Sequence, residues 1–191
     1  MIAIHLVSFF PTGAVFFDCN FHISQWDGTY GNVYTCEPIL IVNDKDDVLS
    51  DVTGVHLSGK ADADVQGLNV WYQKITKIPK NIDSFFPNLI IIQWHNSGLT
   101  EITAEDFNYP RLKTIWLQSN KFTHIADDLF KNSPDLEHVS LASNLITEAS
   151  GEAFYGLDKL SYLDFQSNPC YSGISGNAGG NRAAVLELLS N

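Results

Sequence analysis

The chain has 191 residues, of which 45% are hydrophobic, and its 11 Lys and Arg against 22 Asp and Glu give a formal net charge of −11. This length and apolar content suit one folded domain with its own core and exclude a disordered chain. A surface this acidic repels nucleic acid and anionic lipid surfaces, so we expect neither as a partner.

Residues 1–14 contain no Asp, Glu, Lys or Arg, and the apolar run continues to Phe17. The run is typical of the apolar core of a secretory signal peptide that is cleaved at a small-residue site near Ala14. The alternative is a buried first strand. Pro11 and Gly13 interrupt the run, which is also too short to span a bilayer. We expect a signal peptide, and therefore a secreted, extracellular protein without membrane insertion.

Residues 15–51 predict an N-terminal cap built on a β-hairpin. Cys19 and Cys36 bracket a segment rich in strand-forming residues, and Asp27-Gly28 within it is a hairpin turn signal. A hairpin brings its two ends together, and secretion permits disulfides. We therefore predict a Cys19–Cys36 disulfide, which leaves Cys170 without a partner in this sequence.

A repeat of 23 or 24 residues dominates residues 52–170. Its clearest copies are "LIIIQWHNSGL" from Leu89, "LKTIWLQSNKF" from Leu112, "LEHVSLASNLI" from Leu136 and "LSYLDFQSNPC" from Leu160; "VQGLNVWYQKI" from Val65 is a fifth. Apolar residues recur at the first, fourth and sixth positions, as in a half-buried strand, so these positions are predicted to form the core. They are Val65, Leu68, Val70, Leu89, Ile92, Trp94, Leu112, Ile115, Leu117, Leu136, Val139, Leu141, Leu160, Leu163 and Phe165.

Asparagine occupies the ninth position of the last three copies, as Asn120, Asn144 and Asn168. Its amide can satisfy backbone groups left unpaired where the chain turns inward, so we predict an asparagine ladder along the array. Gln73 and Ser97 take this place in the earlier copies. A segment at Val52 is interpreted as an incomplete leading strand of the array.

This pattern resembles the leucine-rich repeat. The resemblance implies an α/β solenoid, with a curved parallel β-sheet on the concave face and loops and short helical turns on the convex face. An N-terminal disulfide hairpin cap and a C-terminal helical cap are expected at its ends. The N-terminal cysteine pair and the sequence "NPC" at Asn168 are similar to small secreted insect leucine-rich repeat proteins and to Toll-type ectodomains.

In extracellular members of that family, a cysteine at the place of Cys170 often opens the C-terminal cap, which implies the same role here. Residues 171–191 then supply a Gly-rich cap loop and a helix. The family's second cap cysteine is missing from this sequence. One alternative is that Cys170 joins a second polypeptide in a disulfide-linked dimer or complex. A non-covalent oligomer and a fragment of a receptor ectodomain are further alternatives.

The resemblance also implies that partners dock on the outward strand positions of the concave face. Aromatic side chains cluster there on three adjacent strands, which is typical of interaction surfaces. We predict a protein or glycan partner, with innate-immune or extracellular-matrix recognition as the context. The alternative is that the hairpin folds over these side chains or that they pack on each other. The predicted contact residues are Trp71, Tyr72, Ile91, Gln93, His95, Trp116, His138, Tyr162 and Asp164.

The sequence favours a protein that is not an enzyme and uses no cofactor. It contains no G-x-S-x-G, H-E-x-x-H, C-x-x-C or phosphate-loop motif. His56, His95 and His138 are predicted on different strands, without a second ligand at metal-binding spacing. We therefore expect neither a catalytic centre nor a metal site.

Overall fold

The computed structural model describes residues 15–26, 30–42 and 47–169. Short helical turns lie at Asp62–Asp64, Ile82–Phe85 (α1), Ala104–Phe107 and Gly151–Phe154. The strands are β1 (Val15–Gln25), β2 (Asn32–Val42), β3 (Leu49–Gly54), β4 (Gly67–Trp71), β5 (Ile91–His95), β6 (Thr114–Trp116), β7 (His124–Ile125), β8 (His138–Ser140), β9 (Glu148–Ala149) and β10 (Tyr162–Asp164).

Strands from the cap and the repeats form a single sheet in the order β10-β8-β6-β5-β4-β2-β1-β3. The strands β4, β5, β6, β8 and β10 come from successive repeats, and each is parallel to the next. The same repeat position pairs at every step, so Ile92 pairs with Ile115 and Ile115 with Val139. This register confirms the predicted solenoid with a parallel sheet.

The predicted core is confirmed at every inward strand position, because each of those side chains is 6% exposed or less. The convex segments contribute a second column of aromatic rings. The ring centroids of Phe107 and Phe130 are 5.7 Å apart, and those of Phe130 and Phe154 are 5.5 Å apart. Burying these rings between the sheet and the convex turns stabilises each repeat only when its neighbour is present.

The asparagine ladder is also confirmed, and Asn144 shows its geometry. The Asn144 Nδ2 donates to the carbonyl oxygens of Leu117 at 3.0 Å and Leu141 at 2.9 Å. Its Oδ1 accepts from the backbone N–H of Phe122 at 3.3 Å. Asn120 and Asn168 make equivalent bonds. Each side chain therefore joins two neighbouring repeats.

The N-terminal hairpin is confirmed by antiparallel pairing of β1 with β2 and by the Cys19–Cys36 disulfide, whose Cα atoms are 5.3 Å apart. The turn signal Asp27-Gly28 lies outside the described residues. The strand β2 pairs in parallel with β4 and so continues the sheet of the repeats. Gly67 permits this approach, because a Cβ there would lie 2.8 Å from the Thr35 hydroxyl oxygen.

The leading strand predicted at Val52 is wrong in its position. The strand β3, which contains Val52, pairs with β1 at the far edge of the sheet. The hairpin strand β2 takes the place beside the first repeat instead. Its alternate residues Val33 and Thr35 face the concave side while Tyr34 and Cys36 are buried, so both faces of β2 are covered.

Several predictions concern residues outside the described part of the chain. They are the signal peptide at residues 1–14, the cap loop and helix at residues 171–191, and the role of Cys170. Val15 and Phe17, at the end of the N-terminal apolar run, are fully buried in β1. No helix among the described residues has the length and apolar character needed to cross a membrane.

Candidate binding face

Part of the concave face is covered by the hairpin. Trp26 and Val33 pack on Ile91, with Trp116 at the side of this small cluster. Ile91 is fully buried, so its predicted place on the accessible surface is wrong. The apolar side chains of the hairpin cover it, because burial of apolar surface from both sides is favourable.

Tyr30 anchors this covering segment to the repeats. Its hydroxyl donates to Glu137 Oε2 at 3.0 Å, accepts from the Thr114 hydroxyl at 3.2 Å and lies 2.9 Å from His138 Nδ1. Burial raises the pKa of Tyr30 to about 12. Although burial opposes it, hydrogen bonds from Lys113 and Tyr30 hold the pKa of Glu137 below its usual range. The single Tyr30 proton therefore goes to Glu137, and His138 donates to the Tyr30 oxygen.

Gln93 and Asp164 are also less accessible than predicted, at 4% and 8% exposed. Gln93 lies between its strand neighbours Asn69 and Trp116. Asp164 accepts internal hydrogen bonds from the Ser140 hydroxyl at 3.2 Å and from the Gln166 backbone N–H at 2.9 Å. Tyr162, which is half-buried, donates to the same carboxylate at 3.4 Å. Gln93 and Asp164, both at fifth positions, are therefore part of the packed sheet and not of its accessible surface.

The seventh and eighth positions of the repeats hold the most accessible part of the concave face, at the ends of the strands. We call these ten residues the polar track. They include no Asp, Glu, Lys or Arg, and Trp71 and Tyr72 are 38% and 69% exposed. The track consists of Trp71, Tyr72, His95, Asn96, Gln118, Ser119, Ala142, Ser143, Gln166 and Ser167.

The predicted aromatic cluster is brought together at the first end of the track. The Trp71 ring stacks on His95 with centroids 4.4 Å apart and an interplanar angle of 15°. Trp116 lies edge-on to His95, with centroids 6.4 Å apart. Trp26 of the hairpin then lies 6.1 Å from Trp116. The aromatic row thus runs from exposed Trp71 and Tyr72 to the covered part of the face.

Polar atoms within this row lack hydrogen-bond partners among the described residues. They are His95 Nε2, Trp116 Nε1, Trp26 Nε1, Asn69 Oδ1 and Gln118 Oε1. Burial lowers the pKa of His95 to about 4, so its imidazole is neutral at pH 7. Because unpaired polar groups disfavour burial, this part of the face has unused hydrogen-bonding capacity.

A column of left-handed residues runs along the track. The eighth positions have φ values of 56° at Tyr72, 47° at Asn96, 60° at Ser119, 56° at Ser143 and 59° at Ser167. In the first four, the backbone N–H donates to the carbonyl oxygen of the seventh position of the next repeat. Asn adopts this conformation comparatively readily, whereas a bulky residue rarely does. Tyr72 is therefore unusual at this position. In the sequence, it could have been recognised because the other aligned repeats have Asn or Ser there.

The histidines do not converge on one site. His56 lies in the cap, 2.8 Å from the Tyr34 hydroxyl and 3.1 Å from Asp62 Oδ1, and its ring stacks on Phe21. His95 and His138 have the separate contacts given above. Across residues 15–26, 30–42 and 47–169, no group of three or more His, Cys, Asp or Glu side chains is placed to hold a metal ion.

Comparison with known proteins agrees with this architecture. Residues 110–169 match the family model described as Leucine rich repeat. The fold of the chain is a leucine-rich repeat solenoid. The matched repeats, from β6 to β10, are those that carry the asparagine ladder.

Two solved structures show similarity to this chain. The leucine-rich repeat ectodomain of the receptor kinase SOBIR1 from Arabidopsis thaliana is 19% identical, with a TM-score of 0.48; the match covers 81% of this chain and 79% of that one. A chain of the Drosophila Toll–Spatzle complex is 16% identical, with a TM-score of 0.49. That match covers 70% of this chain and 20% of the other chain.

Proposed function

We propose that this leucine-rich repeat protein is a secreted, non-enzymatic recognition module that binds a protein or glycan partner through its concave face. The observation that carries the proposal is the exposed pair Trp71 and Tyr72. Tyr72 is 69% exposed and is held at a φ of 56°. We propose innate-immune or matrix recognition as its context, and this part of the proposal is based only on the fold class.

The backbone of Tyr72 supports a role outside folding. A residue with a Cβ in the left-handed region is destabilised by roughly 1–2 kcal/mol, and Asn is destabilised less because its side chain bonds locally. The other repeats meet the same requirement with Asn or Ser. Strained residues cluster at binding and active sites, and exposed Tyr and Trp are frequent binding hot spots. The Tyr72 side chain gains little free energy from burial. A role of its exposed ring in binding a partner therefore explains why Tyr occupies this strained position.

The cap supports the extracellular setting. The Cys19–Cys36 disulfide joins the middle of β1 to the middle of β2. Such bonds persist in oxidising compartments and are rare in the cytosol. A protein held together in this way presents its concave face to extracellular partners.

The variant Tyr72→Asn tests the proposal. We expect it to raise the free energy of unfolding by roughly 1 kcal/mol, because Asn tolerates the left-handed backbone. For a chain of this size, the thermal midpoint should rise by about 2–4 °C. Capture of extracellular partners by the immobilised protein should nevertheless fall at least about fivefold, since a fivefold loss corresponds to roughly 1 kcal/mol of binding.

The matched control is Tyr155→Ala, which removes an aromatic side chain that is 84% exposed and lies outside the polar track. It should capture partners as the wild-type protein does. If Tyr72→Asn captures equally well, the aromatic pair is not part of the binding surface. A more stable protein that binds less well would separate a binding role from a structural one.

A further inference from the structure

We infer that the polar track binds a neutral, hydroxyl-rich glycan chain, with Trp71 and Tyr72 as its aromatic platform. This inference rests on the proposed function, because it names the class of partner for the same concave face.

The charge of the track is the first argument. Its ten residues include no Asp, Glu, Lys or Arg, whereas 17% of the whole chain is charged. The imidazole of His95, stacked on Trp71, is neutral. A charged ligand would lose hydration here without gaining a counter-charge, which is unfavourable. Acidic glycans are further repelled by the net charge of −11.

The hydrogen-bonding groups are the second argument. Gln118 Oε1 is an acceptor and Trp116 Nε1 is a donor; both atoms are buried and neither has a partner among the described residues, so turning toward a ligand hydroxyl would relieve the cost of an unpaired buried group. His95 Nε2 is equally without a partner in that part of the chain, and as a neutral nitrogen it donates or accepts according to its tautomer. Amides and hydroxyls continue along the track at Asn96 and Ser119. A hydroxyl both donates and accepts, so sugar hydroxyls match this mixed set.

The aromatic surface is the third argument. His95 covers one face of the Trp71 ring at 4.4 Å, yet Trp71 remains 38% exposed. Tyr72 adds a second ring, with its centroid 6.3 Å from that of Trp71. The C–H faces of pyranose rings pack on aromatic surfaces while their hydroxyls bond to polar groups beside them.

The shape of the track fits an extended chain. The hairpin covers the third positions of the middle strands, and the left-handed turns bound the other side. Neighbouring strands lie about 4.8 Å apart, so the five repeats give a track roughly 19 Å long. A narrow strip of this length suits a linear oligosaccharide of several residues better than a broad, globular protein surface.

Binding of defined oligosaccharides tests the inference. The probes are the neutral hexasaccharides of β-1,4-N-acetylglucosamine, β-1,4-glucose, β-1,3-glucose and α-mannose, with a heparin hexasaccharide as the charged control. We expect at least one neutral probe to bind the wild-type protein and Tyr155→Ala with a Kd below about 1 mM, measured by calorimetry. Binding should weaken at least about tenfold in Trp71→Ala and in Gln118→Ala, which keeps the aromatic pair. Heparin should not bind.

Exhaustive protease digestion of the extracellular material distinguishes the two proposals. Capture of digested material, assayed as total sugar, supports a glycan ligand even if it lies outside the panel. Loss of capture after digestion, with no binding of the neutral probes, overturns the glycan inference and leaves recognition of a protein partner. Failure of the wild-type protein to capture any partner or bind any probe overturns both. Probe binding that is unchanged in Trp71→Ala, Tyr72→Asn and Gln118→Ala overturns the track as its site.

Discussion

Two neighbouring positions of each repeat place opposite demands on a polar side chain. Asn144, at a ninth position, is 4% exposed and has its amide fully engaged by backbone groups. Ser143, one residue earlier, is exposed and left-handed. The first residue is retained for its hydrogen bonds and the second for its backbone conformation. Tyr72 satisfies neither demand well, which is why it supports the proposed binding face.

His95 makes the stability of the binding face depend on pH. Burial lowers its pKa from 6.5 to about 4 in the folded protein. Between these values the unfolded chain binds more protons than the folded one, so the free energy of unfolding falls as the pH falls through this window. The contribution is fully present above the unfolded pKa.

Urea denaturation at about pH 7 and about pH 5 measures this dependence. The wild-type protein should lose more stability over the interval than His95→Gln, which cannot titrate there. The carboxylates titrate in both proteins, so the difference between them isolates the imidazole. Equal losses would mean that His95 is protonated as easily in the folded state as in the unfolded chain.

The strands of the later repeats are too short to be stable alone. β6, β8 and β10 have three residues each, and their side chains and turns bond mainly to the next repeat. Stability in such an array comes from the interfaces between repeats. The asparagine ladder is the polar part of each interface and the phenylalanine column is its apolar part.

Asn144→Ala removes the middle rung of the ladder. The carbonyl oxygens of Leu117 and Leu141 each lose one of two amide donors and keep the bonds from Asn120 and Asn168, whereas the Phe122 N–H loses its acceptor. We expect destabilisation on the order of 2 kcal/mol in urea denaturation, since the unpaired Phe122 N–H and the lost bonds to the two carbonyl oxygens disfavour folding. Asn108→Ala, at an exposed asparagine, is the control and should change stability by less than about 0.5 kcal/mol. A small effect of Asn144→Ala would show that water replaces the rung.

At the scale of the whole molecule, the cap and the array form one unit. The cap strands continue the sheet of the repeats, and Tyr30 reaches Glu137, which is 107 residues away in the chain. Ion pairs also join consecutive repeats, such as Lys77 with Glu101 at 2.7 Å and Lys113 with Glu137 at 3.0 Å. The described part of the chain should therefore unfold in one cooperative transition.

Replacing Cys19 and Cys36 together with alanine tests this coupling. Their separation of 17 residues predicts a loss of about 3 kcal/mol from the entropy of the unfolded chain. Thermal denaturation should show one transition at a lower temperature, and the wild-type protein in reductant should behave in the same way. Two separate transitions would mean that the cap folds independently of the array.

The period of the repeat was sufficient to predict which strand residues are buried, where the asparagine ladder runs and that the sheet is parallel. These features depend on contacts between equivalent positions of neighbouring repeats, so each is repeated along the sequence. The hairpin and its disulfide were predictable because a short turn brings nearby residues together. The spacing of the repeat also identified Trp71, Tyr72 and His95 as outward side chains.

Tertiary structure alone decided how the hairpin lies on the repeats. Ile91 has the spacing of an outward residue, yet Trp26 and Val33 cover it, and β3 lies beside β1 instead of leading the array. The contact between Tyr30 and His138 joins residues 108 apart and occurs once. A single long-range contact leaves no periodic trace in the sequence, because it depends on where the whole cap is placed. The same placement leaves the polar track as the accessible part of the concave face.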